Sequence, residues 1–233
     1  MKKGDFVEIE FVGRLSNTGE VFDLNSEEEA KKEGIYNPKH KYKPSLVVIG
    51  SGMSVQGLEK QLESMKVDEE KEFLLKPDEA FGKKDMKLIR IVSISKFTKE
   101  KINPAPGIMV DIDGMQAKVL SVAGGRVRID FNHPLSGREL KYKVKVVRDV
   151  TDTLEKARLL LSFYGINSEA SREGDTLNLQ SEKPLNEFIK RFAGEKVMEL
   201  VPEIKNVIFS SKEEKKAEER PQENQGGEES KKA

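Results

Sequence analysis

Val7-Glu8-Ile9-Glu10-Phe11 decides the first element of this chain. Val7, Ile9 and Phe11 fall on one face and Glu8 and Glu10 on the other, the period of two of a half-buried antiparallel strand. Asn17-Thr18-Gly19 turns it into a second strand through Val21 and Phe22. Ser26 followed by Glu27, Glu28 and Glu29 is the N-cap and acidic first turn of a short helix, and Gly34 closes it. Residues 45–49 form a compact strand ended by Gly50-Ser51-Gly52. Leu58, Leu62 and Met65 then recur at i, i+4 and i+7, one stripe of an amphipathic helix that should lie across a sheet. Residues 71–76 alternate around Phe73 and Leu75 until Pro77 ends the strand, and Pro77-Asp78-Glu79-Ala80-Phe81-Gly82 reads as a structured loop.

Rhythm changes after Lys84. An apolar run at 88–94 is broken by Asn103-Pro104-Ala105-Pro106-Gly107, and short strands follow, punctuated by the hairpin signals Asp113-Gly114 and Gly124-Gly125. This is a small all-β unit, ended by the connector Asn132-His133-Pro134. Leu140, Tyr142, Val144 and Val146 alternate with Lys141, Lys143 and Lys145, a two-faced strand that should complete the first sheet with its lysines in solvent. From about Thr151 a third unit combines a helix capped by Asp152 or Thr153, a strand at 176–179, a helix at 185–200 and a strand at 207–209, an α+β module. Residues 211–233 are dominated by Lys, Glu, Gln and Gly, cannot offset their ordering entropy by burial, and are expected to be a disordered charged tail.

Composition narrows the chemistry. The 233 residues include no Cys and only two His, His40 and His133, which excludes disulfides, thiolate catalysis and Cys-based metal sites and leaves no multi-histidine centre. Lys plus Arg number 41 and Asp plus Glu 41, so no net charge draws the chain to nucleic acid or an anionic membrane. There is no apolar run of signal-peptide or membrane-spanning length, and a cytoplasmic location is expected. The expectation is therefore no metal, no cofactor, no nucleic acid and no membrane.

The stretch 7–15 with Gly19-Glu20-Val21-Phe22-Asp23, then Gly57-Leu58-Glu59 and Asp78-Glu79-Ala80-Phe81-Gly82, resembles in order and spacing the FKBP family of peptidyl-prolyl isomerases. The insert ending in Asp130-Phe131-Asn132-His133-Pro134-Leu135-Ser136-Gly137 is similar to SlyD-type members with an insert-in-flap chaperone domain. Glu33-Gly34-Ile35-Tyr36-Asn37-Pro38 and the C-terminal module resemble the long archaeal members. The resemblance implies an α+β fold: an FKBP antiparallel sheet wrapped on a helix (residues 1–86 and 133–151), interrupted by an all-β insert (87–132) and followed by a C-terminal α+β module (152–210). It implies a prolyl pocket of Phe11, Phe22, Phe81, Tyr142 and Asp23 with Val47, Val55 and Leu58 binding substrate. Leu58 takes the place of an indole floor found in well-known eukaryotic members, and Phe81 that of a loop tyrosine.

An X-Pro bond rotates over a barrier of about 18–20 kcal/mol, mostly amide resonance. The twisted state has lost its zwitterionic form and is less polar than either planar state, so a dry apolar cleft that fits it lowers the barrier by differential binding. Such a cleft needs neither thiol nor metal. The resemblance implies that an amide near Val55 holds the carbonyl before proline and that Asp23 polarises or anchors the twisted group.

Without the resemblance, Phe11, Phe22 and Tyr142 read as ordinary core residues, Asp23 as a turn residue and His133 as a hydrogen-bonded structural histidine. Ile91, Ile94, Phe97, Ile102, Met109, Ile112 and Met115 are more apolar residues than some fifty residues hide easily, and an exposed patch that captures unfolded chains is expected from among them, at Ile91, Ile94, Phe97, Ile102, Met109 and Met115. The function expected is a prolyl isomerase and folding chaperone for unfolded or nascent chains, with a homodimer through the C-terminal module; the alternative is a non-catalytic holdase with a vestigial cleft.

Overall fold

The computed structural model describes residues 1–213. The expected tail lies outside them from residue 214 onward, and its first residue, Ser211, ends a strand instead. The described chain divides into two compact units, one of Met1, Ile9–Ser45 and Gly52–Val147, the other of Lys2–Glu8, Leu46–Ser51 and the chain from Arg148.

The principal sheet has strand order β2-β1-β9-β4, with β3 paired to β1. Its strands are β1 (Phe6–Leu15), β2 (Val21–Leu24), β3 (Ser45–Val48), β4 (Glu70–Leu75) and β9 (Leu140–Val150). Val7 and Ile9 are buried as the alternation requires, Val12 and Gly13 are buried as neighbours, and the pairing with β2 shifts between Gly13 and Arg14, where Phe22 is the extra residue on β2. The helix α1 (Glu27–Lys32) starts after Ser26 and ends before Gly34, which takes φ 69°. In the helix α2 (Gln56–Glu63) Leu58 and Leu62 are buried, as is Met65 beyond its end, the stripe read from spacing.

The insert forms its own sheet, order β5-β8-β7-β6, from β5 (Ile89–Ser93), β6 (Met109–Ile112), β7 (Met115–Ala123) and β8 (Arg126–Asp130), with the short helix α3 (Ile94–Lys99) between β5 and β6. Both expected hairpin turns form: Asp113, Gly114, Gly124 and Gly125 all have positive φ, the backbone that tight two-residue turns demand. Phe97 is wholly buried at the centre of this unit, with Val110, Ile112, Ala117, Val119, Val127 and Ile129, while Ile94 and Ile102 pack against it half-buried. The expected exposed patch is corrected on this point. A one-sheet unit has only α3 to cover its apolar face, so a large ring must fill the gap. Ile91, Met109 and Met115 stay open at 67%, 49% and 50% exposure, and Met86 and Ile108, not picked out from the sequence, join them.

The second unit carries α4 (Thr153–Phe163), β10 (Glu169–Glu173), β11 (Thr176–Ser181), α5 (Glu187–Leu200) and β12 (Asn206–Ser211). Asp152 caps α4 by accepting from the Glu155 N–H at 2.8 Å. β10 and β11 pair antiparallel, whereas β12 runs parallel to β11 after the α5 crossover. Among the described residues no helix is long and apolar enough to cross a membrane.

Candidate active site

The site is built where β1 meets the irregular end of β2 at Phe22. Gly13 lies opposite Asp23 in the register, and the Phe22 ring covers it so closely that a Cβ there would stand 2.4 Å from Phe22 Cζ. Phe11 is fixed through buried Asn25: the Phe11 N–H donates to Asn25 Oδ1 at 2.7 Å, while Asn25 Nδ2 donates to the Ile9 carbonyl and to Ser45 Oγ, both at 2.9 Å. Sequence reasoning missed Asn25, a polar residue with no periodic partner to announce it.

Tyr142 of β9 is the hub. It is 5% exposed, and the rings of Phe11, Phe22 and Phe73 surround it at centroid distances of 6.2, 5.7 and 6.3 Å. Phe22 meets it edge-on at 80°, a favoured aromatic geometry. Phe73, its direct cross-strand partner on β4, was legible only as a strand residue. Burial pushes the Tyr142 phenol up to about 12, and the Asp23 carboxylate adds in the same direction.

The phenol therefore stays neutral across the physiological range. A folded-state value above the ordinary 10.0 means that this group's contribution to stability is full below pH 10 and is lost as pH rises through about 12. In paired denaturation series, stability relative to Tyr142→Phe should be flat below pH 9 and fall by on the order of 2 kcal/mol between pH 10 and 12. A flat difference throughout would show the hydroxyl to be solvated.

Val55 is the N-cap of α2, with φ −64° and ψ 139°, and its carbonyl accepts from the Leu58 and Glu59 amides. The buried Glu59 carboxylate reaches back to accept from Gly52 N–H at 3.3 Å and Ser54 N–H at 3.0 Å, fixing the loop that leads into Val55. The Val55 N–H itself has no partner among the described residues. A Cβ at Gly57 would lie 2.6 Å from Leu75 Cδ2 and 2.9 Å from the Glu79 carbonyl, so this glycine lets α2 press against the 76–82 loop. That loop is closed by Gly82 N–H donating to the Pro77 carbonyl at 2.7 Å.

Of the residues expected in the site, Phe11, Phe22 and Tyr142 are brought together, with Asp23 near enough to perturb the phenol. Leu58 is buried on α2, Val47 is buried on β3, and Val55 heads α2. The Phe81 ring stacks on His133, centroids 4.4 Å apart and planes 2° from parallel. Lys143, expected in solvent, pairs with Glu29 of α1 and Glu70 of β4, both at 3.2 Å. Among the described residues no group of three or more His, Cys, Asp or Glu is arranged to hold a metal ion.

A neutral hydroxyl among aromatic rings cannot relay protons at neutral pH, and the cluster offers an apolar surface instead. Residues 1–97 match the family of FKBP-type peptidyl-prolyl cis-trans isomerases, and residues 90–135 match the FKBP26 IF domain. The short-type peptidyl-prolyl cis-trans isomerase of Methanocaldococcus jannaschii is 36% identical over 150 residues, 64% of this chain and 94% of that protein. The FKBP-type 16 kDa isomerase of Escherichia coli K12 is 32% identical over 109 residues, 45% of this chain and 73% of its own length. SlyD of Helicobacter pylori is 27% identical over 151 residues, 62% of this chain and 73% of its own. These likenesses carry the identification: the chain belongs to the FKBP-type peptidyl-prolyl cis-trans isomerases and is an isomerase of that type.

Proposed function

We propose that the substrates are X-Pro bonds of unfolded or nascent chains, that the insert captures those chains, and that the cleft around Tyr142 twists the bond. The observation that carries this is the open apolar set on the insert, held on the same chain as the cleft. Ile91 on edge strand β5 has Arg128 as its cross-strand neighbour, and Met109 on edge strand β6 has Lys118. Both apolar residues thus flank cationic side chains, and Met115 stands opposite Ile112 beside the hairpin turn. Apolar edges with cations between them suit extended, weakly structured chains more than one folded partner.

In the cleft, the planar ground states keep the polar amide form and gain little from aromatic walls, whereas the twisted state gains packing there and loses little hydration. The Val55 N–H is available to the carbonyl before proline, and Asp23, exposed beside the phenol, to the rim. The test is protease-free NMR exchange on a proline tetrapeptide, run beside refolding of a protein whose slow phase is prolyl isomerisation. The expected result is acceleration of both, with the refolding substrate used far more efficiently per enzyme molecule. Equal efficiency on the two substrates would remove the capture step.

A further inference from the structure

We propose that His133 is a substrate-binding residue of the isomerase, its Nε2–H donating to a carbonyl of the peptide laid against Phe81. The inference rests on the cleft reading above and adds a second donor to it.

His133 is held through its ring and its backbone. Its plane lies flat on Phe81 at 4.4 Å. Its Nδ1 accepts from the Leu135 N–H at 3.2 Å, so in the neutral ring the proton sits on Nε2. The backbone carbonyl of His133 accepts from the Ser136 N–H at 2.9 Å, and Ser136 Oγ in turn donates to the Phe81 carbonyl at 3.0 Å. Gly137 N–H donating to the Gly82 carbonyl at 2.8 Å closes the same clasp. His133 is exposed, and among the described residues Nε2 has no partner.

A structural histidine with both nitrogens engaged would be finished by this network; His133 is held rigidly and left with one free donor at the rim of an apolar ring. A peptide entering the cleft needs such a donor. Proline contributes no N–H of its own, and each peptide carbonyl that leaves water without a new partner loses free energy. The Val55 amide serves one carbonyl, and the Phe81 ring serves none. A donor already fixed by the fold costs no ordering when substrate binds.

The measurement is steady-state isomerisation of a proline tetrapeptide by the full chain. His133→Phe keeps a flat ring on Phe81 and removes the donor; kcat/KM should fall about five-fold, carried by KM with kcat nearly unchanged. Phe81→Tyr in the His133→Phe background sets a hydroxyl at the same rim and should recover most of that loss. Wild-type kinetics in His133→Phe overturn the proposal while leaving the cleft intact. A loss that resides in kcat, or that Phe81→Tyr does not recover, overturns it in favour of a purely structural stack.

Discussion

Excision of residues 90–129, with a two-residue turn joining Ile89 to Asp130, is expected to leave tetrapeptide isomerisation within about two-fold of wild type while catalysis of proline-limited refolding falls about a hundred-fold. The cut is dictated by the register: Ile89 and Asp130 are paired at the base of the insert, so their ends already meet. Below that pair the chain is buckled. Lys84 Nζ donates to Asp130 at 2.7 Å, and Asn132 both accepts from the Asp85 N–H at 2.8 Å and donates to the Asp85 carbonyl at 3.0 Å. Burial works to raise the Asp130 carboxyl, but the hydrogen bonds from Lys84 and Asn132 outweigh it and hold it below the usual carboxylate range. The buckle therefore remains charged and closed at neutral pH. Phe11, Phe22, Phe73, Tyr142 and the Phe81–His133 stack all lie outside the cut. If the insert captures clients as proposed, its excision removes the second point of attachment, and a tether that raises effective concentration multiplies efficiency by about 10² or more without touching the chemistry. Refolding lost in parallel with tetrapeptide turnover would mean that the insert shapes the cleft; refolding unchanged would mean that clients bind elsewhere.

The parts of this architecture that were legible in the sequence are those where one local rule acts alone. Leu58, Leu62 and Met65 have a spacing that only a helix makes coherent, and all three are buried. Asp113-Gly114 and Gly124-Gly125 require positive φ wherever they occur between strands, and take it. Tyr142 stands in a strict alternation with lysines, and its ring is met by those of Phe11 and Phe22.

The parts that were not legible depend on partners distant in the chain. Phe97 was counted as surplus because an apolar total cannot say which ring a single sheet will swallow. Asn25 carries no hydrophobic signal, yet its side-chain amide is stitched to the Phe11 N–H and the Ile9 carbonyl on either side of Glu10. The strand at Glu169–Glu173 holds one buried residue, Ala170, so its pairing with β11 left no trace in its hydropathy. Phe81 lies in the loop read from Pro77 to Gly82, but the residue that covers its face, His133, comes from the far side of the insert, a contact that no local rule announces.

Gly13→Ala tests the cleft at its least obvious point and is expected to lower kcat/KM about a hundred-fold while leaving the secondary structure in place. Gly13 is buried within β1, where its backbone needs no glycine; the constraint is room. The added methyl would sit 2.4 Å from Cζ and 2.7 Å from Cε2 of Phe22, against the roughly 3.5–4.0 Å at which carbon atoms rest. Phe22 must then leave its edge-on contact with Tyr142, or β1 and β2 must part where Gly13 faces Asp23. Either response moves one wall of the cleft by about an ångström, a displacement that costs on the order of 10²-fold when catalysis depends on fit to a twisted state. Overpacking of this kind costs about 1–3 kcal/mol, a fall in Tm of about 5 °C for a chain of this size. The double variant Gly13→Ala/Phe22→Leu separates the two effects: with the ring gone the methyl has space, so stability should return while turnover does not. Turnover that recovers together with stability would show that Phe22 only fills volume, and that the twisted imide is recognised by Tyr142 and its other neighbours without it.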